Sequence, residues 1–542
     1  MATDGLNGLI GMNSNIETSE MTSSSQKILR STALVMGLTL IAKVSGFLRD
    51  IVIASQFGTS QAMDAFFVAM TIATLMYMWL KDPIQVVLVP IFTEQIARRG
   101  ERGAWEYTST LINTLLILFL IIIAIGWLLS PSLVSLTAPG FAHEVGNLSA
   151  ELTKFLMPSV LLYGLARLLS ALFYSYQQFG LPGMTTVVDN VAAIILIASL
   201  TPTLGIYALV MGSVLGAATQ VLVQLPILWK RLSYYRFRLE LRSPALRRMA
   251  WISFPLLIGT GGAELSLISD RIFASLLPTG TLSALAYGQR LTYATFFQLF
   301  VASLTTVLFP SFSESAGLND YGGLARKLFR SLRLLFWLVF PLSIGILLLH
   351  EPLVRLVYQR GVFSEESVRL TSQAVLYYAI GLSGYSLSNL LSYAFYSVKD
   401  TKTPVLTGLV RLGVKILLSF ALVGSMTHAG LALAESISFL LKAALLFIFL
   451  PKELRMNEYR RTFQSFGVTI VMTAGMAVVI LFSLPFLRKV LEFEPSFSSN
   501  FFALGGATVL GVVSFLIFSL LLQRTEIKDI SRLVRVGFMR SY

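Results

Sequence analysis

Cysteine is missing from all 542 residues, which excludes disulfides, iron–sulfur clusters, thiolate zinc sites and a cysteine nucleophile. Charge is also scarce. Only 13% of residues are Asp, Glu, Lys or Arg, against 55% hydrophobic, and the mean hydropathy is +0.74. So few charges cannot clothe a water-soluble surface, so the composition reads as that of a membrane protein. Histidine is limited to His143, His350 and His428, too few to suggest a metal centre. No GxxxxGK[ST] phosphate loop, HExxH or GxSxG is present, which argues against direct ATP drive and against an enzyme of those classes. No cofactor is implied. Residues 1–26 contain neither Lys nor Arg, so they lack the basic start of a cleaved signal and read as part of a disordered cytoplasmic tail.

Long apolar runs are abundant. A helix of about 20 apolar residues spans a bilayer. Candidate spans are 31–57, 64–92, 109–130, 152–176, 183–201 and 205–229, then 249–277, 284–312, 328–350, 370–397, 404–426 and 429–450, and finally 466–487 and 500–523. The expected fold is an all-α membrane protein of about fourteen transmembrane helices. The net charge of +14 comes from short basic clusters between these runs, as in cytoplasmic loops and unlike a nucleic-acid groove. Arg98, Arg99 and Arg102, then Lys230 to Arg248, Arg326 to Arg333, Lys452 to Arg461 and Arg524 to Arg540 alternate with poorly basic loops. That alternation places both termini in the cytoplasm. Segment 351–369, with Arg355, Arg360 and Arg369, breaks the pattern and is expected to carry a short interfacial helix.

An internal repeat organises the spans. Val87-Leu88-Val89-Pro90-Ile91-Phe92-Thr93-Glu94 recurs as Val307-Leu308-Phe309-Pro310-Ser311-Phe312-Ser313-Glu314, and Asp50 matches Asp270 at the same spacing. Phe173-Tyr174-Ser175 recurs as Phe395-Tyr396-Ser397, and Pro182 as Pro404. Six spans separate the copies, so the halves are parallel repeats, with a site expected at their interface. The expected organisation is a tail at 1–30, a six-helix half at 31–231, a second at 249–451, two extra helices at 464–523 and a basic tail at 524–542.

The residues most in need of explanation are charges inside the spans, which normally face a polar cavity or one another. Lys43, Arg49 and Asp50 fall within one helix around Gly46, whose missing side chain lets a neighbour approach. Arg290 stands in the second half. Cations drawn from both halves suit a diphosphate, because arginine offers a two-pronged fork and lysine a point charge. The competing reading is an internal Arg–Asp network that only holds helices together. Asp50, Asp64, Asp270 and Arg271 lie near outer ends of spans and could snorkel to the interface. His428 reads as a loop residue, and Lys442 as a partner for Glu435.

Several of these pieces resemble the MurJ/MviN family of lipid II flippases, within the multidrug/oligosaccharidyl-lipid/polysaccharide exporter superfamily. They are Lys43-x-x-Gly46-x-x-Arg49-Asp50, Asp64-Ala65-Phe66-Phe67-Val68-Ala69, Val89-Pro90 and Thr137-Ala138-Pro139-Gly140-Phe141, then Arg290-Leu291, Thr306-Val307-Leu308-Phe309-Pro310, Gln359-Arg360-Gly361-Val362-Phe363-Ser364 and Lys402-Thr403-Pro404. The resemblance implies an inner-membrane flippase for undecaprenyl-diphosphate-linked glycan, working by alternating access. It implies that Lys43, Arg49 and Arg290 are substrate-binding cations and Asp64 a further functional carboxylate, with Gly46, Asp50 and Asp270 in support. The last two helices would form a groove for the polyprenyl tail. Tyr77 and Met78 stand where family members carry a basic pair. The expected partners are the lipid-linked diphosphate glycan, the membrane and a coupling ion, with no nucleic acid, in a monomeric protein. Alternatives are a flippase for an exopolysaccharide repeat unit, or a cation-coupled multidrug antiporter.

Overall fold

Apolar runs bounded by polar turns fold as helices, because every backbone N–H and C=O in hydrocarbon must be satisfied within the segment. The computed structural model describes residues 34–237, 239, 247, 251, 262, 264–454, 458–490 and 497–522, and among them no strand occurs. The expected tails at 1–30 and 524–542, and most of the connection between the halves with Gly261, lie outside the described residues. Nine described stretches are long and apolar enough to cross a membrane. Helix covers the described part of every expected span almost throughout, so the architecture is an all-α membrane protein consistent with about fourteen crossings.

The first half comprises α1 (34–57), α2 (Gln61–Leu128), α3 (Ser130–Thr137), α4 (His143–Ser175), α5 (Gly180–Leu204) and α6 (Tyr207–Leu232). Helix α2 runs through two expected spans and turns at Gly100, whose φ of 70° and ψ of 178° break the helical path. Only glycine adopts that conformation without strain. Ser60 starts α2 by accepting from the Met63 N–H, an ordinary N-cap. The short α3 was not foreseen from the sequence.

The second half comprises α7 (264–275), α8 (Thr281–Gln289), a π-helical stretch (Arg290–Ala302), α9 (Ser303–Gly317), α10 (Tyr321–Tyr358), α11 (Glu365–Ser397) and α12 (Lys402–Ile448). Helix α12 mirrors α2 by covering two spans, with its break at Thr427. Asp320 and Ser364 cap α10 and α11 by accepting from Gly323 and Ser367. The expected interfacial helix in 351–369 is not formed; α10 simply continues to Tyr358 and α11 begins at Glu365. Two of the three cations there are neutralised locally, Arg355 by Glu351 at 2.9 Å and Glu365 at 2.7 Å, and Arg369 by Glu366 at 2.6 Å. Arg355 accordingly holds Glu365 below the usual carboxylate range.

Within the first half α4 packs on α2 and α6, and α5 on α6; within the second, α11 packs on α8, α10 and α12. Helices α13 (Glu458–Val490) and α14 (Phe497–Leu522) pack on each other and on α10. A separate apolar cluster joins them there, including Trp337, Met472, Met476 and Phe515, with Trp337 Nε1 donating to Ser519 Oγ at 2.9 Å. Outward-facing Leu417, Phe420, Val471, Phe482 and Leu521 are exposed, which suits a surface solvated by lipid tails.

Candidate functional site

The hydrogen bonds and ring contacts described between the two halves gather at one end of the molecule. There the turn after α1 meets the segments before α8 and α11. Val362 N donates to Ser55 O at 2.9 Å, and Thr59 Oγ1 bonds Ser367 Oγ at 2.8 Å. Gly140 N donates to Ser275 Oγ at 3.0 Å. Gly361, at φ 57°, lies so close that a Cβ would run into the Ser55 carbonyl.

Asp64 completes this seal. Its Oδ2 accepts from Gly280 N at 2.6 Å and its Oδ1 from Ser283 N at 2.7 Å. A carboxylate on α2 of one half therefore caps the N-terminus of α8 in the other, satisfying two otherwise orphaned N–H groups and facing the positive end of the helix dipole. Asp64 is buried, and so are Asp270 and Arg271; the snorkelling expected of these three is overturned, because protein rather than interface surrounds them.

About two turns further along, Arg290 Nη1 pairs with Asp50 Oδ1 at 2.6 Å, with both side chains partly exposed. The pair bridges α1 and the first residue of the π-helix. Phe67 lies beneath it, with the Arg290 guanidinium 5.0 Å from the ring centre and that of Arg271 5.6 Å away. Arg271 Nε also donates to Thr71 Oγ1 at 3.1 Å. Two guanidinium groups thus share one aromatic ring at the junction of the halves, a cation–π arrangement that keeps them near each other despite like charge. The π-helix moves the residues after Arg290 out of α-helical register, and such departures recur at functional sites.

Arg49 points elsewhere, into the first half. Its charge faces Asp189 of α5 and Tyr163 of α4, yet its Nε is buried without a hydrogen-bond partner. Asp189 accepts from Gln220 Nε2 at 2.9 Å through Oδ2, while Oδ1 has no partner. Lys43 lies on the exposed side of α1. Gly46 packs against Asn190, whose Nδ2 donates to Ser45 Oγ at 2.9 Å and Ala42 O at 3.1 Å; its small size serves the α1–α5 contact. Tyr77, standing at an expected basic position, accepts from Arg167 Nε at 3.3 Å.

Asp270 belongs to a different group. Lys415, fully buried, is 2.9 Å from both Asp270 Oδ2 and Glu435 Oε2, and donates to Ser266 Oγ at 2.6 Å and Ser266 O at 3.0 Å. Arg411 Nη1 joins Glu435 at 3.2 Å and lies over the Phe439 ring. Glu435 is therefore engaged by Lys415 and Arg411, where the sequence suggested Lys442. His428 is buried rather than a loop residue, its Nε2 bonded to Leu370 O at 2.9 Å. The structure thus brings Asp50 and Arg290 together, and leaves Arg49, Asp64 and Asp270 in separate environments. Asp189, Lys415 and Glu435 were visible only as charges inside spans, because their partners lie on distant helices.

The family model described as "Lipid II flippase MurJ" matches residues 53–494. The chain is 31% identical to the lipid II flippase MurJ of Burkholderia cenocepacia, over 78% of this chain and 84% of that one. It is 28% identical to the probable lipid II flippase MurJ of Vibrio cholerae, over 93% and 98%. A solved MurJ structure described as inward closed superposes with a TM-score of 0.77 at 21% identity, covering 91% of this chain and all of the other. An inward-facing multidrug transporter of the MATE family gives 0.63 at 14% identity.

Proposed function

The chain belongs to the lipid II flippase MurJ family, and from that premise we propose that it carries undecaprenyl-diphosphate-linked peptidoglycan precursor across the cytoplasmic membrane by alternating access. The observation that carries this reading is that the contacts between the halves collect at one end, around Asp64, Gly361 and the Asp50–Arg290 pair. By the distribution of basic loops that end faces outward, with both termini in the cytoplasm. A molecule latched there receives its cargo from the cytoplasmic side and releases it once the latch parts and the other ends close.

In this reading Arg49, Lys43 and Arg290 meet the diphosphate. Arg49 has a buried Nε awaiting an acceptor. Among the described residues Asp50 is the carboxylate paired with Arg290, so an incoming phosphate and Asp50 compete for one guanidinium. Loss of that pair would weaken the latch as the substrate binds, which couples occupancy to the movement of the halves. One polypeptide supplies both halves, so the unit that works is a monomer.

The test is complementation of a strain depleted of its own lipid II flippase. Wild type is expected to restore growth, and Arg49→Ala to fail at normal protein level. Growth with the variant equal to wild type would remove Arg49 from the site. Leaflet translocation by purified protein, comparing lipid II with another diphosphate-linked saccharide, fixes the cargo: preference for the second would replace peptidoglycan precursor with an exopolysaccharide unit.

A further inference from the structure

Among the described residues, the buried carboxylate oxygen left without a hydrogen-bond partner belongs to Asp189. The other buried carboxylates are saturated: Asp64 by two backbone N–H groups, Asp270 by Lys415, and Glu435 by Lys415 and Arg411. Asp189 is met by two neutral donors, the Gln220 amide and the Tyr163 hydroxyl, and no ion pair is described for it. What faces its remaining side is the Arg49 charge on α1 and the Tyr163 hydroxyl on α4, with the Tyr77 ring of α2 tilted against that of Tyr163 at 5.8 Å between centres. Gly216 of α6 closes the last side, with no room there for even a Cβ.

Resting on the proposed function, we propose that Asp189 is a substrate-linked proton site: it takes up one proton when the diphosphate engages Arg49, and gives it up when the diphosphate leaves. The physical reason is the cost of a buried charge. While Arg49 faces it, the carboxylate has a compensating cation. Once a diphosphate claims that guanidinium, Asp189 stays buried with only neutral donors, and a carboxylate so placed neutralises rather than remaining an unpaired anion. The proton comes from water on the side where the substrate enters and no bond other than O–H forms or breaks. A metal cation fits poorly here, because the Arg49 charge lies near the carboxylate, the Gln220 amide N–H₂ already donates to it, and the oxygens that a metal would need are few. The headgroup therefore crosses with a proton, carrying one negative charge fewer than its phosphates bear. In the second half no such step is available, since Lys415 stays tethered among its carboxylates.

The experiment measures lipid II binding to the purified full-length protein in weakly buffered detergent, with a pH indicator. The diphosphate of lipid II is esterified at both ends and each phosphorus keeps a single strongly acidic oxygen, so the diphosphate itself contributes no proton near neutrality. Wild type is expected to take up about one proton per lipid bound, with affinity falling about tenfold for each pH unit above the midpoint. Asp189→Asn, which keeps an acceptor for Gln220, is expected to take up none and to bind independently of pH. Asp189→Ser, a second side chain that cannot titrate, gives the same result if folding of the first variant is impaired. Proton uptake that persists in both variants overturns the inference while leaving the flippase reading intact. A sodium requirement that replaces the pH dependence also overturns it. Failure of wild type to bind lipid II at any pH overturns the flippase reading, and this inference with it.

Discussion

The two halves place charge at related positions and use it in opposite ways. Asp189 follows Pro182 at the same distance as Arg411 follows Pro404, so the repeat sets an anion on α5 against a cation on α12. On the leading helix of each half the order is reversed: Arg49 faces Asp189, whereas Asp270 faces Lys415. The second-half group is complete, with Lys415 among four oxygens and Arg411 sharing Glu435. The first-half group is incomplete, with partnerless atoms on both Arg49 and Asp189. A saturated buried network is rigid, and removing one member strands the rest; an unsaturated one can exchange partners at little cost. The second half therefore reads as a fixed frame and the first as the half that answers to a ligand.

The largest effect should come from attacking the frame. Lys415→Met strands Asp270 and Glu435 and is expected to destabilise the protein by about 3–5 kcal/mol, read by unfolding in mixed micelles and by loss of protein from the membrane. A mild effect there would erase the contrast between the halves. Next, Asp64→Ala leaves two N–H groups of α8 unsatisfied, at about 1–3 kcal/mol. This loss should appear as opening of the sealed end. A single cysteine placed at Thr59 in this cysteine-free chain should then label faster. Asp189→Asn is expected to change stability by less than about 1 kcal/mol, because Asn keeps an acceptor for Gln220 and the half-buried Arg49 forms no direct ion pair with Asp189; a loss as large as that for Lys415→Met would show the first-half group to be frame as well. The smallest effect belongs to Arg355→Ala, whose pairs with Glu351 and Glu365 are solvent-facing and worth about 0–1 kcal/mol, measured by the same unfolding assay.

The sequence is most legible where chemistry is periodic and long. Runs of about 20 apolar residues set the helices, because a single continuous apolar segment satisfies its own backbone in hydrocarbon only as a helix, and the repeat around Val87–Glu94 and Val307–Glu314 set the two halves. Segment 351–369 was less legible: its unusual basic charge suggested a separate interfacial helix, whereas Glu351, Glu365 and Glu366 neutralise Arg355 and Arg369 in place. Asp64 illustrates the deeper limit. Its position near a span end is equally compatible with snorkelling, and only the approach of α8 from the other half makes it a cap.

What the sequence determined by itself is the solvent each segment must face, and therefore the helices, their pairing into repeats and the presence of unusual charge inside the bilayer. Tertiary structure alone decided which charges neutralise one another. Arg290 and Asp50, or Lys415, Asp270 and Glu435, lie far apart along the chain, and nothing local distinguishes a saturated partner from a waiting one. Helix formation is written in near-neighbour hydrophobicity, whereas charge compensation at 3 Å depends on which distant helices come to lie side by side.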